Sequence, residues 1–251
     1  MKSKSKVMNI VAPIIAVLIV LVIWEILVRA LHVSEKLIPA PTAIAASLVE
    51  NFADVIAPDL LISIKNILIG YLIAIPIGFV ISALCSQFKL VTKAVTPLLI
   101  ILMITPMSTL VPIFKLNLGA SPWLKILVIV LQTAPVIALN SLSGFANPPQ
   151  NNVDVLKAMG CGRWQRFFRV VLPHALPQVF TGLELGCILG TIASMGADMS
   201  VGQGGLGYRV SIYASFAATS SAFATIIIAA IVGVVLFEIV STIEKLVISW
   251  K

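Results

Sequence analysis

Six stretches of this 251-residue chain run for about 20 residues or more with few or no charges. Roughly 20 apolar residues in a helix cross the hydrocarbon core of a bilayer. Lipid offers the backbone no hydrogen-bond partner, so a segment that satisfies its own amides is required, and a helix does so. The spacing predicts spans over about 7–31, 61–85, 94–116, 123–146, 177–199 and 221–247. The expectation is an all-α membrane protein of six transmembrane helices, a single domain over 1–251. Composition agrees: 59% of residues are apolar and 11% charged, with a mean hydropathy of +1.09. Soluble domains hold about 45–50% and about 25%. A soluble enzyme, a disordered tail and a disulfide scaffold are excluded.

The formal charge is +7, from 17 Lys and Arg against 10 Asp and Glu. With six spans, Lys2, Lys4, Lys6, Lys89, Lys93, Lys157, Arg163, Arg166, Arg169, Lys245 and Lys251 share one side. Arg29, Lys36, Lys65, Lys115, Lys125 and Arg209 lie on or near the other. Basic residues collect in cytoplasmic loops, so both termini are expected in the cytoplasm, and nucleic acid is not the partner. Cys85, Cys161 and Cys187 form no CxxC pair, and His32 and His174 are scattered. These read as packing residues, not a metal centre.

Local signals fill in the connections. The run after Lys6 is too long for a signal peptide core and no clear cleavage site follows it, so it reads as a span. Glu25 and Arg29 are four apart and can pair on one helix face. Thr42 is the expected N-cap of a short surface helix over 43–52. Gly70 and Gly78 allow close helix approach in the second span. Pro97, Pro106 and Pro112 mark the third as an interior helix, because the carbonyls that proline frees must be satisfied by protein or a cavity. Lys89 and Lys93 fall in a loop over 87–93, and 119–122 reads as a tight turn.

The segment 147–176 carries the functional information. Asn151 or Asn152 can cap a short helix that Asp154 favours and Gly160 ends. Trp164, Phe167, Phe168 and Val171 then recur at i, i+3, i+4, i+7, with Arg163, Arg166 and Arg169 off that stripe. Pro173 is expected to stop this second helix. Such a helix can lie along a membrane surface. The alternative is a docking element of two short helices and a glycine turn.

Gly160 and Leu172-Pro173 resemble the glycine and the L-P of the EAA loop in permease subunits of binding-protein-dependent ABC importers. Asp154, Val155 and Leu156 stand at the E-A-A positions, keeping only the acidic character. The pattern over 160–177 is similar to the nitrate/sulfonate/taurine branch, as are I-P-A-P after the first span and Gly205-Leu-Gly-Tyr208. The resemblance implies the type I importer permease fold in the cytoplasmic membrane. It implies two permease copies, two ATPase subunits that bind ATP and Mg, and an external solute-binding protein. Asp154, Leu156, Lys157, Ala158 and Gly160 would form the coupling element, with Arg163 and Arg166 beside it pairing with ATPase acids or lipid phosphates. This chain would be non-catalytic and hold no cofactor or metal. Small sulfonates, nitrate and aromatic vitamin precursors are the solutes that such a permease would pass.

Other signals are weaker. Residues 202–207 match G-x-G-x-x-G, but a membrane span precedes them where a dinucleotide site needs a βαβ unit. A flexible gate or re-entrant turn suits them better. No P-loop sequence occurs in the chain. Gln132, Glu184 and Asp198 are candidates for the substrate path, since intramembrane polar groups are functional by default. Gln132 can instead bridge helices, and Asp198 can pair with Arg209. An acid at Glu184 favours a neutral or cationic solute. Glu238 can reach the interface, and Met103, Met107 and Met195 read as packing. An ion-gradient-driven secondary transporter is the alternative function, but no internal repeat supports it. A hydrolase built on Ser194, Ser200 and His174 fails because His174 and Ser200 fall on opposite sides of the membrane.

Overall fold

The structure, a computed structural model, describes residues 2–248, with the side chains of residues 2–11, 13 and 14 outside the description. The side chains of Lys2, Lys4 and Lys6, and the whole of Lys251, used above for orientation, therefore lie outside it. Among the described residues the chain is all-helical. The elements are α1 (Lys2–Ala30), α2 (Pro41–Asn51), α3 (Ala57–Ser86), α4 (Lys89–Ile104), α5 (Met107–Leu118), α6 (Pro122–Ala146), α7 (Gln150–Ala158), α8 (Arg163–Arg166), α9 (Leu172–Val201), α10 (Leu206–Ser215) and α11 (Thr219–Val247).

Helix α6 is the centre, packed between α3 and α9. Small residues let the backbones close in. A Cβ on Gly70 or Gly78 of α3 would fall 2.7 Å from Ile129 Cγ2 or the Ala134 carbonyl of α6. On α9, Gly182, Gly186 and Gly190 repeat every fourth residue and meet Asn140, Ile137 and Thr133 of α6 in descending order. The two helices therefore run antiparallel along a glycine seam, the packing device of membrane helices. Buried Ile67, Val128, Ile129, Ala193 and Ala197 fill the space between them.

Four helical stretches are long and apolar enough to cross a membrane: Pro41–Ser86, Pro122–Ala146, Arg163–Val201 and Thr219–Val247. A fifth crossing arises if α4 and α5 are one broken span, for they bend by 90° at Thr105-Pro106. The proline-rich span expected over 94–116 is thus two helices, broken at Pro106. The 87–93 loop is also shorter than expected, since α4 starts at Lys89 and carries both lysines. Helix α1 covers the expected first span in its backbone.

Two joints are built alike. Phe52–Ile56 and Phe167–Val171 are π-helical turns, leading directly into α3 and α9. Each has the spacing F-x-x-V-x-x-P, ending at Pro58 or Pro173. The residue before each proline, Ala57 or Leu172, donates its N–H to the Phe carbonyl five positions back. The extra residue in the turn makes room for the proline ring, which would clash with the i−4 carbonyl of a tight α-turn. Pro173 consequently opens α9 and does not stop the preceding helix. For the same reason the fifth apolar stretch starts well before 177.

Two expected caps also differ. The α2 N-cap is Ala40, and Thr42 lies inside the first turn. Its N–H donates to Glu25 Oε2 (3.1 Å) and its hydroxyl to Glu25 Oε1 (2.8 Å). Glu25 thus caps α2 from α1 while pairing with Arg29, as its i,i+4 spacing predicts. Asn151 and Asn152 lie within α7, whose N-cap is Pro149 with no side-chain cap.

Candidate functional site

The glycine-rich turn between α9 and α10 is held, not loose. Gly202, Gly204 and Gly205 have φ of +80°, +70° and +97°, angles that side chains resist. This path folds the turn over buried charges. Lys125 of α6 is 1% exposed and Asp198 of α9 is 0% exposed, and they pair at 2.9 Å. Lys125 Nζ also donates to the carbonyls of Gln203 (3.0 Å) and Gly204 (2.7 Å). Ser63 donates to Asp198 Oδ2 (2.6 Å) and accepts from the Leu206 N–H (2.8 Å). Asp59 accepts from the Gly205 N–H (2.8 Å) and pairs with Arg209 (2.6 Å). Lys115 of α5 closes the end of α9 by donating to the carbonyls of Ser200 and Val201. Five helices, α3, α5, α6, α9 and α10, are tied together through these few side chains, and a half-satisfied version would be costly because the charges are dry.

Two expectations change here. Asp198 pairs with Lys125, while Arg209 takes Asp59. The chain folds Asp59 of α3 over the turn, a long-range contact invisible in linear spacing. The stretch over 200–220 is also not all loop, since Leu206–Ser215 is helical.

Gln132 sits at the α4–α5 break. In a continuous helix the Met107 N–H would bond the Met103 carbonyl. Instead the Met107 N–H donates to Gln132 Oε1 (3.3 Å), and Gln132 Nε2 donates to the Met103 carbonyl (3.2 Å). The carboxamide of α6 is inserted into one rung of the helical ladder, a recognised cause of sharp kinks. It satisfies the Met103 carbonyl and Met107 N–H that the bend at Thr105-Pro106 separates. Glu184 is half-buried on α9 beside Tyr71 and Cys187. Met107 is buried, Met195 half-buried and Met103 exposed.

The 147–176 segment forms two short helices around a glycine turn. Helix α7 ends in a Schellman motif: the Cys161 N–H donates to the Leu156 carbonyl and the Gly160 N–H to the Lys157 carbonyl, both at 3.0 Å. Gly160 takes φ +76° there. Gln165 accepts the Gly162 N–H (2.9 Å) and starts α8. Asp154, Lys157, Ala158, Gly160 and Arg163 are exposed, and Leu156 and Arg166 half-buried. The largest apolar surfaces on α7 are Val155, 59% exposed, and Met159, 73% exposed. Sequence reasoning singled out Leu156 and passed over Met159, although the 3.6-residue period places Val155 and Met159 together on the face away from Leu156.

The amphipathic stripe splits. Phe167 is buried, whereas Trp164 and Phe168 are exposed. The π-helical turn adds a residue and rotates the later positions. Phe167 packs edge-on against Phe145 of α6 (5.0 Å between centroids), which meets Phe79 of α3 (6.1 Å). Trp164 lies on Phe167 (5.8 Å). An aromatic chain thus links the exposed loop to the two central helices. Sequence reasoning did not bring Lys125, Asp59, Ser63 and Lys115 together as a cluster. A lysine one turn into an apolar span is the one signal that pointed to this cluster.

Residues 74–248 match the family model described as the inner membrane component of binding-protein-dependent transport systems. The chain is 28% identical over 239 residues to the formylaminopyrimidine transport permease protein ThiX of Halalkalibacterium halodurans, covering 95% of each. It is 24% identical over 250 residues to the nitrate import permease protein NrtB of Synechocystis, covering 96% of this chain and 90% of NrtB. It is 24% identical over 224 residues to the taurine transport system permease protein TauC of Escherichia coli, covering 87% and 82%. Its fold is similar to a chain of the inward-facing MetNI methionine ABC transporter, with TM-score 0.58 and 20% identity over 80% of this chain and 95% of that one.

Proposed function

Because the chain belongs to the family of inner membrane components of binding-protein-dependent transport systems, we propose how its geometry serves the permease of an ATP-driven importer. It is a multi-pass protein of the cytoplasmic membrane, of the nitrate, sulfonate and taurine branch. Helix α1 joins the five apolar crossings to make six spans, with both termini and the 147–176 loop in the cytoplasm. Two copies surround one path. Two ATPase subunits carrying ATP and Mg dock beneath, and an external binding protein delivers the solute. This chain holds no nucleotide itself.

The observation that carries the reading is the exposed α7 helix, closed by Gly160 and backed by the Phe167–Phe145–Phe79 chain. Asp154, Lys157, Ala158, Val155 and Met159 present charge and apolar surface to the ATPase, and Leu156 seats the helix. Movement of the ATPase is then transmitted to α6 and α3 through packed rings, which are too dense to absorb it. Gln132 and Glu184 border the path. Asp198 serves the path from behind, by holding the glycine-rich turn. The similarity to ThiX over nearly the whole of both chains favours a small solute of the heteroaromatic precursor class. Sulfonate and nitrate are the next candidates.

Gly160→Pro tests the coupling role. Proline cannot take φ +76° and has no N–H for the Lys157 carbonyl. The variant is expected to insert in the membrane at normal levels and to lose solute-stimulated ATP hydrolysis. Undiminished ATP-driven uptake would remove α7 from the coupling path.

A further inference from the structure

A cavity of about 470 Å³ opens between the start of α4 and the 147–176 loop. Lys89 and Lys93 line one wall, and Arg163 and Arg166 line the other. No acidic residue lines it. None of the four cations has an ion pair or a side-chain hydrogen bond among the described residues, and Arg163 has only the Phe88 ring, 5.9 Å from its centroid. The remaining wall is mostly apolar, with Leu142, Phe145 and Val171.

Four uncompensated cations around one concavity repel each other, so the arrangement stands at a cost that an anion would relieve. Arginine offers a planar fork that binds phosphate oxygens in pairs, and lysine a point charge. The apolar wall adds a second requirement, that the anion carry hydrocarbon. We propose that this cavity binds a phosphate-bearing anion, supplied by the headgroup of an anionic phospholipid whose glycerol and upper acyl chain lie on Leu142, Phe145 and Val171. Basic pockets at the cytoplasmic ends of membrane helices bind such headgroups. The depth assignment rests on the cytoplasmic placement of the loop proposed above. The site touches Phe145 and Phe167, so its occupant packs against the aromatic chain that backs α7.

The test is lipid binding by the purified full-length chain, read by native mass spectrometry independently of transport. The probes are dioleoylphosphatidylglycerol, dioleoylphosphatidylcholine and inorganic phosphate. The wild type is expected to retain phosphatidylglycerol in preference to phosphatidylcholine. Lys89→Gln with Lys93→Gln should weaken phosphatidylglycerol binding by about thirtyfold. Lys157→Gln with Arg169→Gln removes the same charge from the same loop region outside the cavity, and should leave binding within about threefold of wild type. Competition by millimolar phosphate without a lipid preference would keep the anion site and assign its source to a free phosphate. Equal retention of the two lipids with no phosphate competition, or equal loss in the two double variants, would overturn the proposal. So would unchanged phosphatidylglycerol binding in the Lys89 and Lys93 variant. Failure of ATP-driven uptake in the wild type would bear on the importer reading and not on this binding.

Discussion

Two of the turns built on positive-φ glycines are put to opposite uses. At Gly204 and Gly205 the turn lies over Asp198, and every nearby charge has a partner. At Gly160 the turn faces open space, with nothing within 4 Å of where a Cβ would sit. The first is a dry, satisfied cluster that fixes α3, α6 and α9 at one end. The second leaves charged and apolar side chains uncovered. A site whose charges are all paired has little left with which to bind anything, whereas an exposed one invites a partner. The difference teaches that the glycine motif itself predicts neither role. What surrounds it decides.

That contrast can be broken most sharply at Asp198. Asp198→Ala strands the Lys125 ammonium in a dry site and should cost about 3–5 kcal/mol, seen as lost thermal stability in detergent and low membrane yield. Adding Lys125→Met should recover part of the loss, because the Gln203 and Gly204 carbonyls still lack their donor. A single variant as stable as wild type would mean the pair is not buried. The paired glycine substitutions come next. Gly205→Ala forces a positive φ and drives a Cβ into the Asp198 carboxylate, for about 3 kcal/mol. Gly160→Ala meets only the φ penalty, about 1 kcal/mol. Equal losses in thermal melts would erase the distinction between the two turns.

Gln132→Leu should cost about 1–2 kcal/mol by leaving the Met103 carbonyl and Met107 N–H without their inserted partner. Faster hydrogen exchange at Met107 than in the body of α5 would register it. The smallest expected stability effect is at the open turn. Val155→Ser with Met159→Ser should change stability by less than about 0.5 kcal/mol yet strongly reduce ATPase coupling. Normal coupling in this folded, membrane-inserted variant would move the docking surface elsewhere.

The long apolar runs, the Gly160 helix end and the Glu25–Arg29 pair were legible in the sequence, because each depends on local periodicity or spacing. Gln132 as a helix bridge was legible as a type of contact, though not its insertion into a specific rung. The pairing of Asp198 was not, since its partner lies 73 residues away on α6 and only packing along the α6–α9 glycine seam brings them together. The joint at Pro173 was misread for a related reason. Proline is a stop signal in an α-turn, and a preceding π-helical turn turns it into a start. The exposure of Val155 and Met159 was not legible, because the burial of a short helix depends on what it rests upon.

The open α7 face is the proposed docking site of an ATPase. Native mass spectrometry of the complex extracted gently from its own membrane tests it most directly, comparing wild type with Gly160→Pro. The account predicts two copies of this chain with two P-loop ATPase chains in wild type, and loss of the ATPase chains in the variant. A wild-type chain that carries no ATPase, and that takes up solute in proteoliposomes without ATP, would contradict it.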